Sequence, residues 1–186
     1  MANALKQNVE TQLNRLLAQL QDLEDLKDAL TEEEYETTKQ DTHAQIKEFY
    51  QTLERMSRGD VTLVNELQSV KLAMQATISK AFKTPEIIKY FAKKQPDQLR
   101  QKIRNLHTQL DLKSISRPDF SQQKIEALMA LRKLGEKLTD EEVKFIVDNS
   151  SQDVQDFEAA TSGAVGAATA ETLLKMSGSQ ILQAQK

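Results

Sequence analysis

Helix breakers are so scarce in this chain that they leave one architecture open. Five Gly and three Pro are spread over 186 residues, whereas strands joined by turns need such punctuation every ~8–12 residues. Gly59 and Gly135 follow runs with helical apolar spacing, where a helix-terminating glycine belongs. Pro85, Pro96 and Pro118 stand where a first-turn proline sacrifices no backbone hydrogen bond. Gly163, Gly166 and Gly178 all fall in the final stretch. The chain therefore reads as all-α, helix after helix, followed by a tail of different composition.

Capping signals agree with that map. Thr31 with Glu34, and Thr139 with Glu142, have the Thr-x-x-Glu spacing in which two orphan backbone donors are satisfied reciprocally. Thr84 before Pro85-Glu86 marks another start. These signals predict helices over 4–30, 32–57, 62–83, 85–94, 97–112, 119–134, 140–149 and 151–160. Four segments follow: a helical hairpin or short coiled coil at 1–58, a helical middle at 59–117, three short helices at 118–160 and a flexible tail at 161–186. The tail's Gly, Ala, Ser and Thr offer little to bury, so disorder is expected there.

The first helix carries a leucine seam of Val9, Leu13, Leu16, Leu20, Leu23 and Leu30, interrupted by Lys27. Its steps of three and four suit a coiled coil. Tyr35, Thr42, Ile46, Phe49, Leu53 and Met56 repeat the rhythm in the second helix. Two arrangements bury the same stripes: a homodimeric zipper, or a hairpin folded at Leu30-Thr31. The short connection favours the hairpin.

Charge is uneven. Residues 1–57 carry net −6, residues 58–117 net +7 and residues 118–186 net −4. The basic middle could meet nucleic acid, an acidic protein or the chain's own acidic hairpin. Its aromatic pair, Tyr90-Phe91, has core spacing with Ile87 and Ile88 rather than the exposed rings of a base-stacking platform, so nucleic acid is disfavoured.

Groups for catalysis are few. The two histidines, His43 and His107, lie on different predicted helices with no second ligand at metal spacing. No Gly-rich loop could cradle a phosphate, no Gly-x-Ser-x-Gly elbow is present, and there is no Cys. Glu32-Glu33-Glu34 occupies a helix first turn, where carboxylates complement the dipole. We expect a protein that is not an enzyme and holds no metal or cofactor. No apolar run approaches the roughly 20 residues of a membrane span, and the polar start lacks a signal-peptide core. An intracellular protein, cytoplasmic and/or nuclear, is expected.

From Phe120 the sequence reads FSQQKIEALMALRKLGEKLTDEEVKFIVDNSSQDVQDF. Ile125, Leu128, Met129, Leu131 and Leu134 predict one buried face, with Lys124, Arg132 and Lys133 off it. Three helices of this size are marginal alone and need the rest of the chain or a partner. The block resembles the helical domain of the ICAT family of β-catenin-interacting proteins. Gln122-Gln123-Lys124, Leu128, Leu131-Arg132-Lys133, Gly135, Leu138-Thr139, Glu142 and Phe145 carry the resemblance without gaps. The leucine-seamed front, the TLVNEL run at 62–67 and the segment AFKTPEIIKYFAKKQPDQLR resemble a branch of that family with a leucine zipper ahead of the ICAT-like region.

The resemblance implies a partner, β-catenin or a related armadillo-repeat protein, and two contacts with it; the alternative is a helical scaffold or dimerisation protein that has lost β-catenin affinity and binds another partner. The helical domain would dock on late armadillo repeats, with Phe120, Lys124, Arg132 and Lys133 as candidate contacts. An extended tail would lie in the basic groove used by Tcf-type partners. Glu171 stands where the first tail acid belongs, Leu173 and Leu174 at the apolar pair and Met176 at the anchor. Gln180 replaces the second acid. A carboxylate on a groove lysine contributes about 1.5–3 kcal/mol, so its loss weakens a tail contact by about tenfold or more. The residues also leave open a terminal helix over Ala167–Met176, which is rich in helix formers.

Overall fold

The structure is a computed structural model that describes residues 2–162. Eight α-helices are seen among these residues: α1 (Ala2–Asp25), α2 (Glu32–Ser57), α3 (Val61–Ile78), α4 (Pro85–Ala92), α5 (Pro96–Asp111), α6 (Arg117–Lys133), α7 (Asp140–Asn149) and α8 (Gln152–Thr161). A single 3-10 turn, Lys27–Ala29, links α1 to α2. No strand occurs among the described residues, so the fold is all-α.

Local chemistry sets the ends of these helices. Both Thr-x-x-Glu boxes form: Glu34 N–H donates to the Thr31 hydroxyl, Thr31 N–H donates back to the Glu34 carboxylate, and Thr139 and Glu142 repeat the exchange. The Thr31 N–H and then its hydroxyl, both donating to the Glu34 carboxylate, hold that carboxyl below its usual pKa. Asp60, Ser116 and Ser151 cap α3, α6 and α8. α3 stops five residues earlier than its apolar pattern predicts, because Lys80 enters the left-handed region at φ 61°. Lys94 and Lys113 end α4 and α5 in the same conformation, at φ 53° and 57°. Behind Lys94, Gln95 N–H reaches the Tyr90 carbonyl at 2.9 Å, closing the turn that glycine usually closes. Gly135 does the same after α6 at φ 85°.

The leucine seam is covered by the chain itself. Val9, Leu13, Leu16, Leu20 and Leu23 are buried, and α1 packs against α2, α3 and α4. Tyr35, Thr42, Ile46 and Leu53 of α2 are buried with it, whereas Met56 at the end of the stripe is exposed. This is the hairpin arrangement of the two stripes. One continuous hydrophobic cluster then runs from Val9 in α1 to Phe157 in α8. At its centre Phe82 meets Phe91 at 5.6 Å and Phe157 at 5.7 Å, joining the α3–α4 link to α4 and α8.

α6 departs most from its expected amphipathicity. Every residue from Ile125 to Leu131 is buried, including Glu126, and so is Lys133. The helix is enclosed by α4, α5 and α7, so no side is left for solvent along that stretch. The three carboxy-terminal helices thus rest on the remainder of the chain, as their small size requires.

Candidate partner-binding surface

The sequence-predicted contacts divide into two places on α6. Phe120 and Lys124 lie near its start. Arg132 and Lys133 lie at its end, about 12 Å further along at 1.5 Å per residue.

Near the start, the Phe120 ring is buried and meets His107 of α5 edge-on at 5.1 Å and Phe145 of α7 at 6.4 Å. The Lys124 ammonium sits over both rings, 4.4 Å from the Phe145 centroid and 5.5 Å from that of Phe120. Burial lowers its pKa, and the Glu142 and Glu141 carboxylates oppose the shift. His107 is lowered as well, by burial and then by the Lys124 charge. Such a contact places a cation on the negative faces of the rings. Lys124 and Phe145 remain half-buried and reachable, so the chemistry on offer is a positive charge set on an aromatic ledge.

At the other end, both cations are engaged within the chain. Arg132 donates to one oxygen of Glu158 at 2.6 Å and Lys133 to the other at 3.1 Å. The Lys133 ammonium also stands 5.7 Å from the Phe157 ring centroid, and burial pulls its pKa down against the pull of Glu158. This cluster pins α8 to α6. Sequence spacing gave no sign of it, because Glu158 is 25 residues from Lys133 and belongs to another helix.

Arg100 of α5 joins Glu142 of α7 at 2.5 Å and the Lys137 carbonyl at 2.9 Å, steadying the side of the ledge. Lys102 pairs with Glu86 at 2.7 Å. Part of the basic middle is therefore neutralised inside the fold. Among the described residues there is no group of three or more metal-ligating side chains, and no helix is long and apolar enough to cross a membrane. Glu171, Leu173, Leu174 and Met176 lie outside the described residues.

The ledge, α6 and the Glu158 clamp all fall in one segment that matches a known family. Residues 106–184 match the family model of the Beta-catenin-interacting protein ICAT. The ICAT match starts in α5 at the buried Leu106, takes in α6, α7 and α8 and extends 22 residues past Ser162. It includes His107, Phe120, Lys124 and Phe145 of the ledge and the positions from Glu171 to Met176. No solved structure matches the chain.

Proposed function

We propose that this chain is a non-enzymatic binding protein for β-catenin or a related armadillo-repeat protein, and that it modulates access of Tcf-type partners. The observation that carries the reading is the ICAT match over residues 106–184, which takes in both the helical contacts and the tail positions. On this reading the Lys124–Phe145 ledge offers a cation and an aromatic face to an acidic partner. Glu171, Leu173, Leu174 and Met176 add a second, tethered contact, whose contribution depends on effective concentration. Arg132 and Lys133 contribute only if a partner carboxylate replaces Glu158; otherwise they act by holding α8 in place. The protein would then belong where β-catenin works, in cytoplasm or nucleus, within Wnt signalling. The seam-bearing front fits the leucine-zipper branch of the family, with the seam used inside the hairpin.

Titration of purified β-catenin armadillo repeats separates the two contacts. The intact chain should bind with saturation, and residues 1–162 should bind about tenfold more weakly. Lys124→Gln should weaken both without changing the helical content. Absence of binding by the intact chain at tens of micromolar would overturn the proposal. Equal affinity of the two forms would remove the tail contact alone.

A further inference from the structure

The chain has two histidines, and the fold places them in unlike surroundings. His43 lies half-buried on α2, outside the family-matched segment. His107 is exposed on α5 and sets its ring edge against Phe120 at 5.1 Å. The Lys124 ammonium stands 5.5 Å from the centroid of that same ring. The ledge therefore carries a titratable imidazole beside its ammonium. Imidazole is the one side chain whose ordinary pKa puts its charge change between pH 5 and 8.

The charges around His107 come from three helices. On α5, Asp111 lies one turn after it, and Arg104, one turn before it, donates to the Gln101 side-chain oxygen. Lys124 comes from α6. From α7, Glu142 is held by Arg100, and Glu141 is exposed. Burial and then Lys124 lower the His107 pKa, and Asp111 opposes them. At pH 7.5 the ring is therefore mostly neutral, and Lys124 alone charges the ledge. In mild acid, before the carboxylates protonate, two cations stand against one aromatic ring.

Both groups touch the Phe120 ring, so a carboxylate settling on the ledge comes within reach of both. It meets one charge at neutral pH and two in mild acid. We propose that His107 is a binding residue of the ledge, and that its protonation strengthens the hold on an acidic partner. The inference rests on the ledge being the contact surface of the proposed function. A partner carboxylate relieves the repulsion between the two cations, so the complex takes up a proton that the free chain leaves in solution. The extra affinity is fully present below the His107 pKa of the free chain and is lost as pH rises through the higher value of the complex. A second unit charge about 6 Å away in well-hydrated surroundings changes affinity by about three- to fivefold.

Binding of the intact chain to purified β-catenin armadillo repeats at pH 7.5 and 5.5 tests this, in about 50 mM salt to limit screening. The gain in affinity on acidification should be about three- to fivefold larger for the natural chain than for His107→Gln, a comparison in which the partner's own titration cancels. His107→Arg, which carries a fixed charge at this exposed position, should bind more tightly than His107→Gln by a similar factor at both pH values. In the free chain, proton NMR should show Lys124→Gln raising the His107 pKa. The His43 pKa should not move, since burial, Lys39 and Lys80 are what lower it. An equal gain in acid for the natural chain and His107→Gln would overturn this proposal alone. So would a His107 pKa unmoved by Lys124→Gln, or His107→Arg binding no better than His107→Gln. No binding at either pH would overturn the proposed function and this inference with it.

Discussion

The middle and the end of α6 hold their neighbours by opposite means. In the helix middle, Glu126 is fully buried and makes no ion pair among the described residues. Its two oxygens accept the Lys83 and Thr84 N–H groups at 3.0 Å each, and Gln122 donates to it at 2.9 Å. The carboxyl therefore replaces the side-chain cap that Thr84 does not provide and satisfies orphan donors at the start of α4. At the end of α6 the carboxylate comes from α8, is partly exposed, and is held by two cations. One device relies on neutral donors and burial, the other on charge. Burying a charge without a counter-charge is costly, so the first device shifts the group's own titration, and burial raises the Glu126 pKa. In the second, the cation carries the cost, and Lys133 is lowered.

The largest effect should come from breaking the first device. Glu126→Ala leaves two part-buried N–H groups without their partner and a void beside them, and should cost about 2–4 kcal/mol in urea denaturation. Glu158→Ala leaves Lys133 buried and unpaired. Partial exposure of the pair discounts the loss to about 2 kcal/mol, below the usual figure for a buried ion pair. Hydrogen exchange should show that loss first in α8. The Lys133→Met/Glu158→Gln double variant should recover most of it, since an apolar replacement removes the unpaired charge. Failure to recover would mean that the ion pair itself stabilises the clamp.

Titration sharpens the contrast through its sign. The raised Glu126 pKa means that the folded chain binds a proton more tightly than the unfolded one. Its contribution is fully present below the unfolded value near 4.5 and is lost as pH rises through the higher folded value. The lowered Lys133 pKa acts in the other direction. Its contribution is present above the unfolded value near 10.5 and is lost as pH falls through the folded value. Urea midpoints measured from pH 4 to 8 should fall less steeply for Glu126→Gln than for the natural chain. An unchanged slope would mean that Glu126 does not titrate in that window. The smallest effect belongs to a site remote from both devices: Lys113→Gly should raise stability by about 0.5–1 kcal/mol by relieving its left-handed backbone.

Features that depend on neighbours in the chain were legible in advance. The Thr31 and Thr139 boxes and the Pro85 and Pro96 helix starts each involve residues a few positions apart and appear where expected; the paired stripes of α1 and α2 do so except at their ends, since α1 stops at Asp25, before Leu30, and Met56 is exposed. The end of α3 was hidden because lysine carries no sequence signal for a left-handed residue. Glu126 resembled any other acid on a helix, and only the approach of the α3–α4 link, 42 and 43 residues away, makes it a cap. Arg132 and Lys133 resembled rim charges for the same reason, until α8 brought Glu158 to them. The ledge was half visible: Phe120 and Lys124 are one helical turn apart, while His107 and Phe145 come from other helices.

By itself, the sequence determined that this protein is all helix over its described length and approximately where each helix begins. Five breakers and a few capping residues in that length act through bonds between near neighbours, and the choice of partner in those bonds does not depend on the rest of the chain. Tertiary structure alone decided which charges are spent and which remain. Whether a lysine is a free cation, a clamp on Glu158 or a charge on an aromatic ledge depends on which helix arrives beside it. Coulomb attraction and desolvation act through space, over a few ångströms, and take no account of distance along the chain.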